Sequence, residues 1–497
     1  MRMRLADLRR WAVLCGLALG ITVVGTEDLQ AQAGKKTEAK EAITALMVSD
    51  IHFDPLHDPG KAQRLFDAQE GEWNAILASA PSPDQTAAFA KLQKACGAKR
   101  SDSPYALLQS SLEAMKKSAP DAKFALMSGD LVVHNFDCRF KTIFPEKTAQ
   151  DYATFVEKTE RYVVGQLRLS LAGLPVYVTL GNNDSGCKDY AMDREDAFLK
   201  TTQAAMVDGL AGSAKEKTAA AASYSDLGDM SLMMKAPMQR TRLIVLNDIF
   251  QSKSHQGCDG KPQPAAADAQ IAWLTKELAE ARREKQRVWV MGHIPAGVDP
   301  YTTFSKFKDI CGGEAPAMFL SSERLADVMG QYADVIRLGI FGHSHMDEIR
   351  LFGAEEAGAK GGKVAIKMVS SISPVDGNNP SFTVAKVSPE DARLLDFEVI
   401  AASNQTGVST TWSKEYAYGE TFHQPDFSAE TLKSLLADFT ADPDARTDMS
   451  RAYLTHYFVG DQTLLLKSLW PQYVCALDNH TAKGFAACVC PAASPGK

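Results

Sequence analysis

Short, uninterrupted apolar runs recur along the chain, and each ends on a polar residue of a metal-binding kind. The runs cover 43–49, 124–128, 176–180, 243–246, 288–291 and 336–341. Continuous β-prone runs without alternation are expected where a sheet is covered on both faces. Between them lie stretches with helical spacing: 105–117 after Ser103-Pro104, 151–171, and 267–284, where Ile271, Leu274 and Leu278 share one face. Strands alternating with helices predict an α/β domain. Past residue 350 the pattern changes. Three strands are expected at 364–369, 381–387 and 393–401, forming a second sheet, and helices at 432–439, 450–459 and 464–469. The Gly-rich stretch 353–362 reads as a surface loop. No internal repeat is visible.

The 497 residues are 45% hydrophobic and 23% charged, which is globular and excludes extensive disorder. A net charge of -7 without any Lys/Arg run gives no support to nucleic-acid binding. The first 33 residues have the layout of an export signal. Arg2, Arg4, Arg9 and Arg10 form a basic head, an apolar run from Trp11 to Val24 follows, and Ala31-Gln32-Ala33 offers a cleavage site. That run is too short to span a bilayer, and no later segment would place a transmembrane helix in the mature chain. Secreted or periplasmic localisation is expected. Nine cysteines less Cys15 leave eight, an even number that suits disulfides in an exported chain, with the pairing open.

Five blocks follow the apolar runs: Asp50-Ile51-His52, Gly129-Asp130 through His134, Gly181-Asn182-Asn183-Asp184, Gly292-His293-Ile294-Pro295 and Gly342-His343-Ser344-His345. Asp50 and His52 lie two apart, so an extended segment would turn both to one side. Gly129 would allow a tight turn that places Asp130 at a strand end. Carboxylate and imidazole together suit zinc, iron or manganese. Any one block could arise by chance. Five in this order, holding five of the ten histidines, point to a metal centre.

The blocks resemble those of the calcineurin-like metallophosphoesterase superfamily, whose pattern runs D-x-H, GD-x-x-x-H, GN-H-D, GH-x-P, GH-x-H. Asp102-Ser103-Pro104-Tyr105 after Cys96, Glu415 to Gly419, and the late cysteine-bearing helices are similar to the acid sphingomyelinase-like phosphodiesterases. The resemblance implies a four-layer α-β-β-α sandwich of two packed mixed sheets flanked by helices. It implies a catalytic domain over 34–402 after a signal peptide at 1–33, and a small helical C-terminal subdomain over 403–497. It implies two divalent metal ions, zinc first, with iron or manganese as alternatives. Asp50, His52 and His345 would hold one, Asn182, His293 and His343 the other, and Asp130 would bridge them. A metal-bridged hydroxide between ions roughly 3.5–4 Å apart would attack the phosphodiester.

One position departs from the pattern. Asn183 stands where the superfamily carries a histidine that protonates the leaving group or holds the phosphate. An amide donates a hydrogen bond but gives up no proton. His134 is the candidate replacement acid, or else a histidine that orients a ligand. Asp54 and Asp184 are expected to support ligands rather than bind metal. His57, His255, His423, His456 and His480 are expected to be structural or at the surface, and Trp412, Tyr416 and Phe422 to be core. The full sphingomyelinases carry a saposin-type lipid-extracting domain, whereas only a short polar stretch precedes the first block here. The expected partner is therefore a soluble phosphate ester: a nucleotide, a choline-phosphate ester or polyphosphate. Polyphosphatase or nucleotide pyrophosphatase/phosphodiesterase activity on the same site is the alternative enzyme reading, and a non-catalytic binding scaffold the alternative of another class.

Overall fold

The computed structural model describes residues 42–490 apart from 209, 211, 239, 354–360 and 461–463. The export-signal reading and most of the expected 353–362 loop lie outside these residues. Twelve strands among the described residues build two six-stranded mixed sheets. They are β1 Ile43–Val48, β2 Ala125–Met127, β3 Val176–Val178, β4 Met230–Met233, β5 Thr241–Val245 and β6 Arg287–Met291. The remainder are β7 Ile336–Phe341, β8 Glu348–Phe352, β9 Val364–Met368, β10 Ser381–Val387, β11 Leu394–Ala402 and β12 Trp412–Ala417. The first sheet runs β12-β11-β10-β1-β2-β3 and the second β4-β5-β6-β7-β9-β8. The parallel strands are β1-β2-β3, one half of the first sheet out to its edge, and β5-β6-β7-β9, the centre of the second, and antiparallel strands complete each sheet.

The two sheets share one apolar interior. Met47, Leu126 and Val178 from the first pack in the same cluster as Trp289, Leu338 and Ile340 from the second. The Trp289 indole donates across the layers to the Ala392 carbonyl at 2.7 Å. Helices Tyr105–Ser118 and Ala149–Ser170 contact β10 and β3, while helix Pro264–Arg283 packs Leu274 and Leu278 against Val288, Val290 and Ile336 of the second sheet. This is the expected four-layer α/β sandwich, and it explains why the central runs are mostly apolar: both faces of each strand are covered.

The strands after residue 350 do not form a sheet of their own. β9 completes the parallel centre of the second sheet, whereas β10 and β11 cross back and pair antiparallel beside β1. The crossing is held by backbone bonds, with Ser371 N–H donating to His345 O and Ile372 N–H to Ser49 O. Three strands escaped the apolar reading. β4 and β12 end their sheets and keep polar or exposed positions. β8 (EIRLF) is fully buried yet carries Glu348 and Arg350, which neutralise each other at 3.0 Å.

The stretch after 403 first contributes β12 to the first sheet, and its helices then pack on β8 and β9. Helices Ala429–Ala441 and Trp470–Asp478 both touch β8. Tyr473 donates to Glu348 at 2.9 Å, so a helix from this region helps solvate the buried ion pair. All eight cysteines expected to pair do so, as Cys96–Cys138, Cys187–Cys258, Cys311–Cys490 and Cys475–Cys488. Among the described residues no helix is long and apolar enough to cross a membrane.

Removing Glu348 would strand the Arg350 guanidinium in the interior. Glu348→Ala is expected to lower unfolding free energy by about 3–5 kcal/mol in urea titrations, with Glu348→Gln milder because it keeps an acceptor.

Candidate metal centre

The five blocks leave the C-terminal ends of parallel strands, where sheets of this type place ligand groups. β1 delivers Asp50 and His52, β2 delivers Asp130 and His134, and β3 delivers Asn182 and Asn183. From the other sheet, β6 delivers His293 and β7 delivers His343 and His345. The two sheets thus bring their active ends together.

The backbone at these positions is not extended. Asp50, His52, Asp130, His343 and His345 all have left-handed φ, at 47°, 44°, 57°, 72° and 65°. Asp50 and His52 reach the same side through a turn, not through the alternation of a strand. Left-handed backbone at a residue other than Gly is disfavoured by about 1–3 kcal/mol, so neighbouring structure must enforce it. Here the blocks clamp one another. Asp50 N–H donates to Gly129 O, His52 N–H to Asp130 O and Gly342 N–H to His293 O, each at 3.0 Å. His343 N–H donates to both Asp50 carboxylate oxygens, at 3.2 and 3.1 Å.

The side chains converge in two groups that share Asp130. Asp50, His52 and Asp130 each bring a ligand-type atom within 4.8 Å of the others, and so do Asp130, His293 and His343. His52 Nε2 lies 3.1 Å from His345 Nε2, and Asp50 Oδ1 lies 3.4 Å from His345 Nε2. Asp130 Oδ2 lies 3.4 Å from His52 Nε2 and 3.2 Å from His293 Nε2. Asn182 Oδ1 completes the second group, 3.2 Å from His293 Nε2. The tautomers are set from outside. His52 Nδ1–H donates to Val132 O at 2.9 Å and His293 Nδ1–H to Ser128 O at 2.7 Å, which turns both Nε2 lone pairs inward. Asn182 donates its amide to Asp189 at 2.7 Å, which turns its oxygen inward. A buried set of nitrogen and oxygen donors, oriented on common points, fits borderline divalent cations.

Charge is concentrated here. Burial pushes Asp50 up, but His345 and His52 outweigh it and bring the carboxyl to about 2. Burial pulls His52 and His293 down, yet the surrounding carboxylates, Asp130 first and Asp50 with it, together more than offset it and lift them to about 9 and 10. Burial, then the charge of His293, lowers His343 to about 3, and burial also lowers His345. The Asp50 and Asp130 carboxylates thus stay ionised and favour positive charge on His52 and His293, whereas His343 and His345 are held neutral.

Of the two residues singled out for proton chemistry, His134 is partly exposed. It stacks on His52 with ring centroids 3.8 Å apart and shares a cluster with His52 and His345. Its Nδ1 lies 2.9 Å from the buried Asp102 carboxylate. Asn183 is buried, and its amide and backbone N–H both donate to Asp130, each at 2.9 Å. Asp184 binds no ligand-type group but accepts from Leu131, Val132 and Gly181 N–H, which ties the second block to the third. Asp54 pairs with buried Arg139 at 2.9 Å. His456 stacks on Tyr416, and His255 bonds Met192 O.

Several supporting residues escaped the motif reading. Asp248 accepts the N–H of His293 at 2.9 Å and of Ile294 at 3.0 Å. It sits just past the apolar run 243–246, so the strand-end rule applied to that run would have found it. Asp102 lay inside a motif noted only for resemblance. Asp189 carries no local signal at all.

Gly181 shows how tight the assembly is, because a Cβ there would overlap the Asp130 carboxylate. Gly181→Ala is expected to lower stability by about 1–3 kcal/mol through overpacking. Gly165→Ala is the control. It lies in helix Ala149–Ser170 with nothing within 4 Å of an added methyl, and should instead stabilise by up to about 1 kcal/mol in the same unfolding assay.

No protein-family model matches the sequence. Among characterised proteins, the chain is similar to acid sphingomyelinase-like phosphodiesterase 3b of Mus musculus, 24% identical over 456 residues and covering 89% of each chain. It is similar to cyclic GMP-AMP phosphodiesterase SMPDL3A of Homo sapiens, 23% identical over 455 residues with the same coverage. Sphingomyelinase phosphodiesterase D of Dictyostelium discoideum is 26% identical over 209 residues, covering 40% of this chain and 45% of its own. A solved dimetal phosphatase from Danio rerio overlaps 75% of this chain and 99% of its own, at 11% identity and a TM-score of 0.39, too loosely to add to the sequence relatives. With its five blocks gathered at one point, the chain is a phosphoric ester hydrolase similar to the acid sphingomyelinase-like phosphodiesterases, and its blocks resemble those of the calcineurin-like metallophosphoesterases.

Proposed function

We propose that this protein is an exported phosphodiesterase that hydrolyses soluble phosphodiesters at a centre of two divalent cations, zinc in the first instance. The observation that carries this reading is the sharing of Asp130 between two ligand groups. Asp50, His52 and His345 would hold one cation, Asn182, His293 and His343 the other, and Asp130 both. When bound, such a pair supplies a nucleophile near neutral pH and offsets charge on the phosphoryl oxygens. Four disulfides support an oxidising compartment, in keeping with the signal-like first 33 residues.

The chain's own residues divide the remaining work. Asn183 fixes the Asp130 carboxylate by two hydrogen bonds, and its amide, already committed there, serves as a brace and not as an acid. His134 is the proton donor for the leaving oxygen. Asp102 accepts from its Nδ1–H, which leaves Nε2 as the nitrogen to carry the donated proton on a ring one third exposed. Asp102 is itself held by Ser373 Oγ at 2.8 Å. The dyad therefore presents one nitrogen, in one orientation, beside the ligands.

Chelation, or Asp130→Asn, is expected to abolish hydrolysis of bis-p-nitrophenyl phosphate, with zinc, manganese or iron restoring the stripped wild type. Undiminished activity after complete metal removal would sink the proposal. His134→Gln separates the acid role. Nitrophenolate leaves without help, so that substrate should lose little, whereas an alkyl phosphodiester should lose about 10²–10⁴-fold in kcat. Equal losses on both would remove His134 as the acid.

A further inference from the structure

His345 differs from His52, His293 and His134. His52 and His293 each donate Nδ1–H to a backbone carbonyl, and His134 Nδ1 has the Asp102 carboxylate. His345 is 3% exposed, its Nε2 faces His52 and Asp50, and its Nδ1 is buried without a hydrogen-bond partner. A buried N–H left unpaired costs about 1–3 kcal/mol, so such an atom marks an incomplete arrangement. The Asp376 carboxylate stands beside it, with Oδ2 3.4 Å from Nδ1 without meeting hydrogen-bond geometry.

Asp376 is placed to complete it. It lies between β9 and β10, in a loop whose first half is bonded to the site. Ser371 N–H donates to His345 O, Ile372 N–H to Ser49 O and Ser373 N–H to Asp50 O. A turn closed by Gly377 N–H on Pro374 O then carries Asp376 at its tip. The backbone is thus pinned to the ligand blocks, while the carboxylate is 38% exposed and makes no hydrogen bond among the described residues. At 3.4 Å the two groups are already close enough to pair, and only their alignment falls short of a hydrogen bond.

We infer that Asp376 is a positioning residue, the outer carboxylate of a carboxylate–histidine–metal triad that closes on His345 when its Nε2 takes a divalent cation. This rests on the dimetal reading above. Coordination at Nε2 withdraws electron density from the ring and makes Nδ1–H a stronger donor, and a carboxylate on that proton fixes the ring and strengthens Nε2 as a ligand. The effect is local to the cation held by Asp50, His52 and His345.

The test is zinc titration of metal-stripped wild type, Asp376→Ala and Asp376→Asn against a chromophoric chelator, with melting of the stripped proteins alongside. Wild type is expected to bind two zinc ions. Asp376→Ala should weaken one of them by about 10–100-fold and leave the other unchanged. Asp376→Asn, which keeps an acceptor without the charge, should fall between. The stripped variants should melt with wild type, since the free carboxylate holds nothing. Two unchanged affinities in Asp376→Ala would overturn the inference and leave the dimetal reading standing. Loss at both sites together with a lower melting temperature would make Asp376 a folding contact and overturn it too. Failure of wild type to bind zinc would overturn the dimetal reading itself.

Discussion

One carboxylate ties the two halves of the site together. Asp130 leaves β2 of the first sheet, yet the imidazole of His293 from the second sheet meets its Oδ2 at 3.2 Å, and His52 meets the same atom at 3.4 Å. Everything that keeps this oxygen in place also keeps the sheets in register at their active ends. Asn183 supplies two hydrogen bonds, and Asp184 holds the peptides on either side by accepting from Leu131 and Gly181. Gly181 has no side chain because the Asp130 carboxylate occupies that space. A packing constraint and an electrostatic one therefore coincide on the same few atoms.

The left-handed backbone of five inward-facing residues follows from this crowding. A strand alternates its side chains, so it cannot aim consecutive blocks at a single point some way beyond its own end. Breaking into a turn with positive φ does so, at an energetic penalty that the interblock hydrogen bonds offset. Parallel strands suit the task because all their carboxyl ends lie at one edge.

How far the molecule was legible in its sequence differs by layer. The apolar runs marked the parallel strands well, because burial on both faces leaves no polar position to blur them. β8 was opaque because its interior holds Glu348 and Arg350, and only the fold shows that each answers the other. The allocation of β9 and β10 to different sheets was equally hidden, since it depends on which neighbour each strand meets. At the site, the inward-facing residues stand in recognisable blocks, and their neighbours do not. Asp102 stands 32 residues before His134 and Asp376 well beyond His345 in the chain, while Asp189 reaches back seven residues to Asn182, and no spacing rule marks any of these pairs. The exchange of histidine for Asn183 could be seen as a departure. That its amide would turn to Asp130 could not, because the direction of a side chain is a property of the assembled pocket.

The C-terminal stretch bears on the chemistry through the same logic. Two residues past His345, the buried Asp347 carboxylate meets the Lys367 ammonium of β9 and the Tyr416 hydroxyl of β12, and its backbone N–H donates to Tyr457 O. One short segment is thus tied to the second sheet, to the edge of the first and to a C-terminal helix region. Next to it, Glu348 takes the Tyr473 hydroxyl and the Arg350 guanidinium, and Arg350 reaches on to Val298 O in the loop that follows His293. Buried charges of this kind contribute little net stability when compared with apolar packing. Their geometry is demanding instead, because each must find its partner or be left costly and alone. Placed directly behind His345 and the His293 loop, such pairs leave those segments one arrangement to adopt. The late helices are in this sense part of the machinery that aims the imidazoles, although none of them supplies a side chain to the centre.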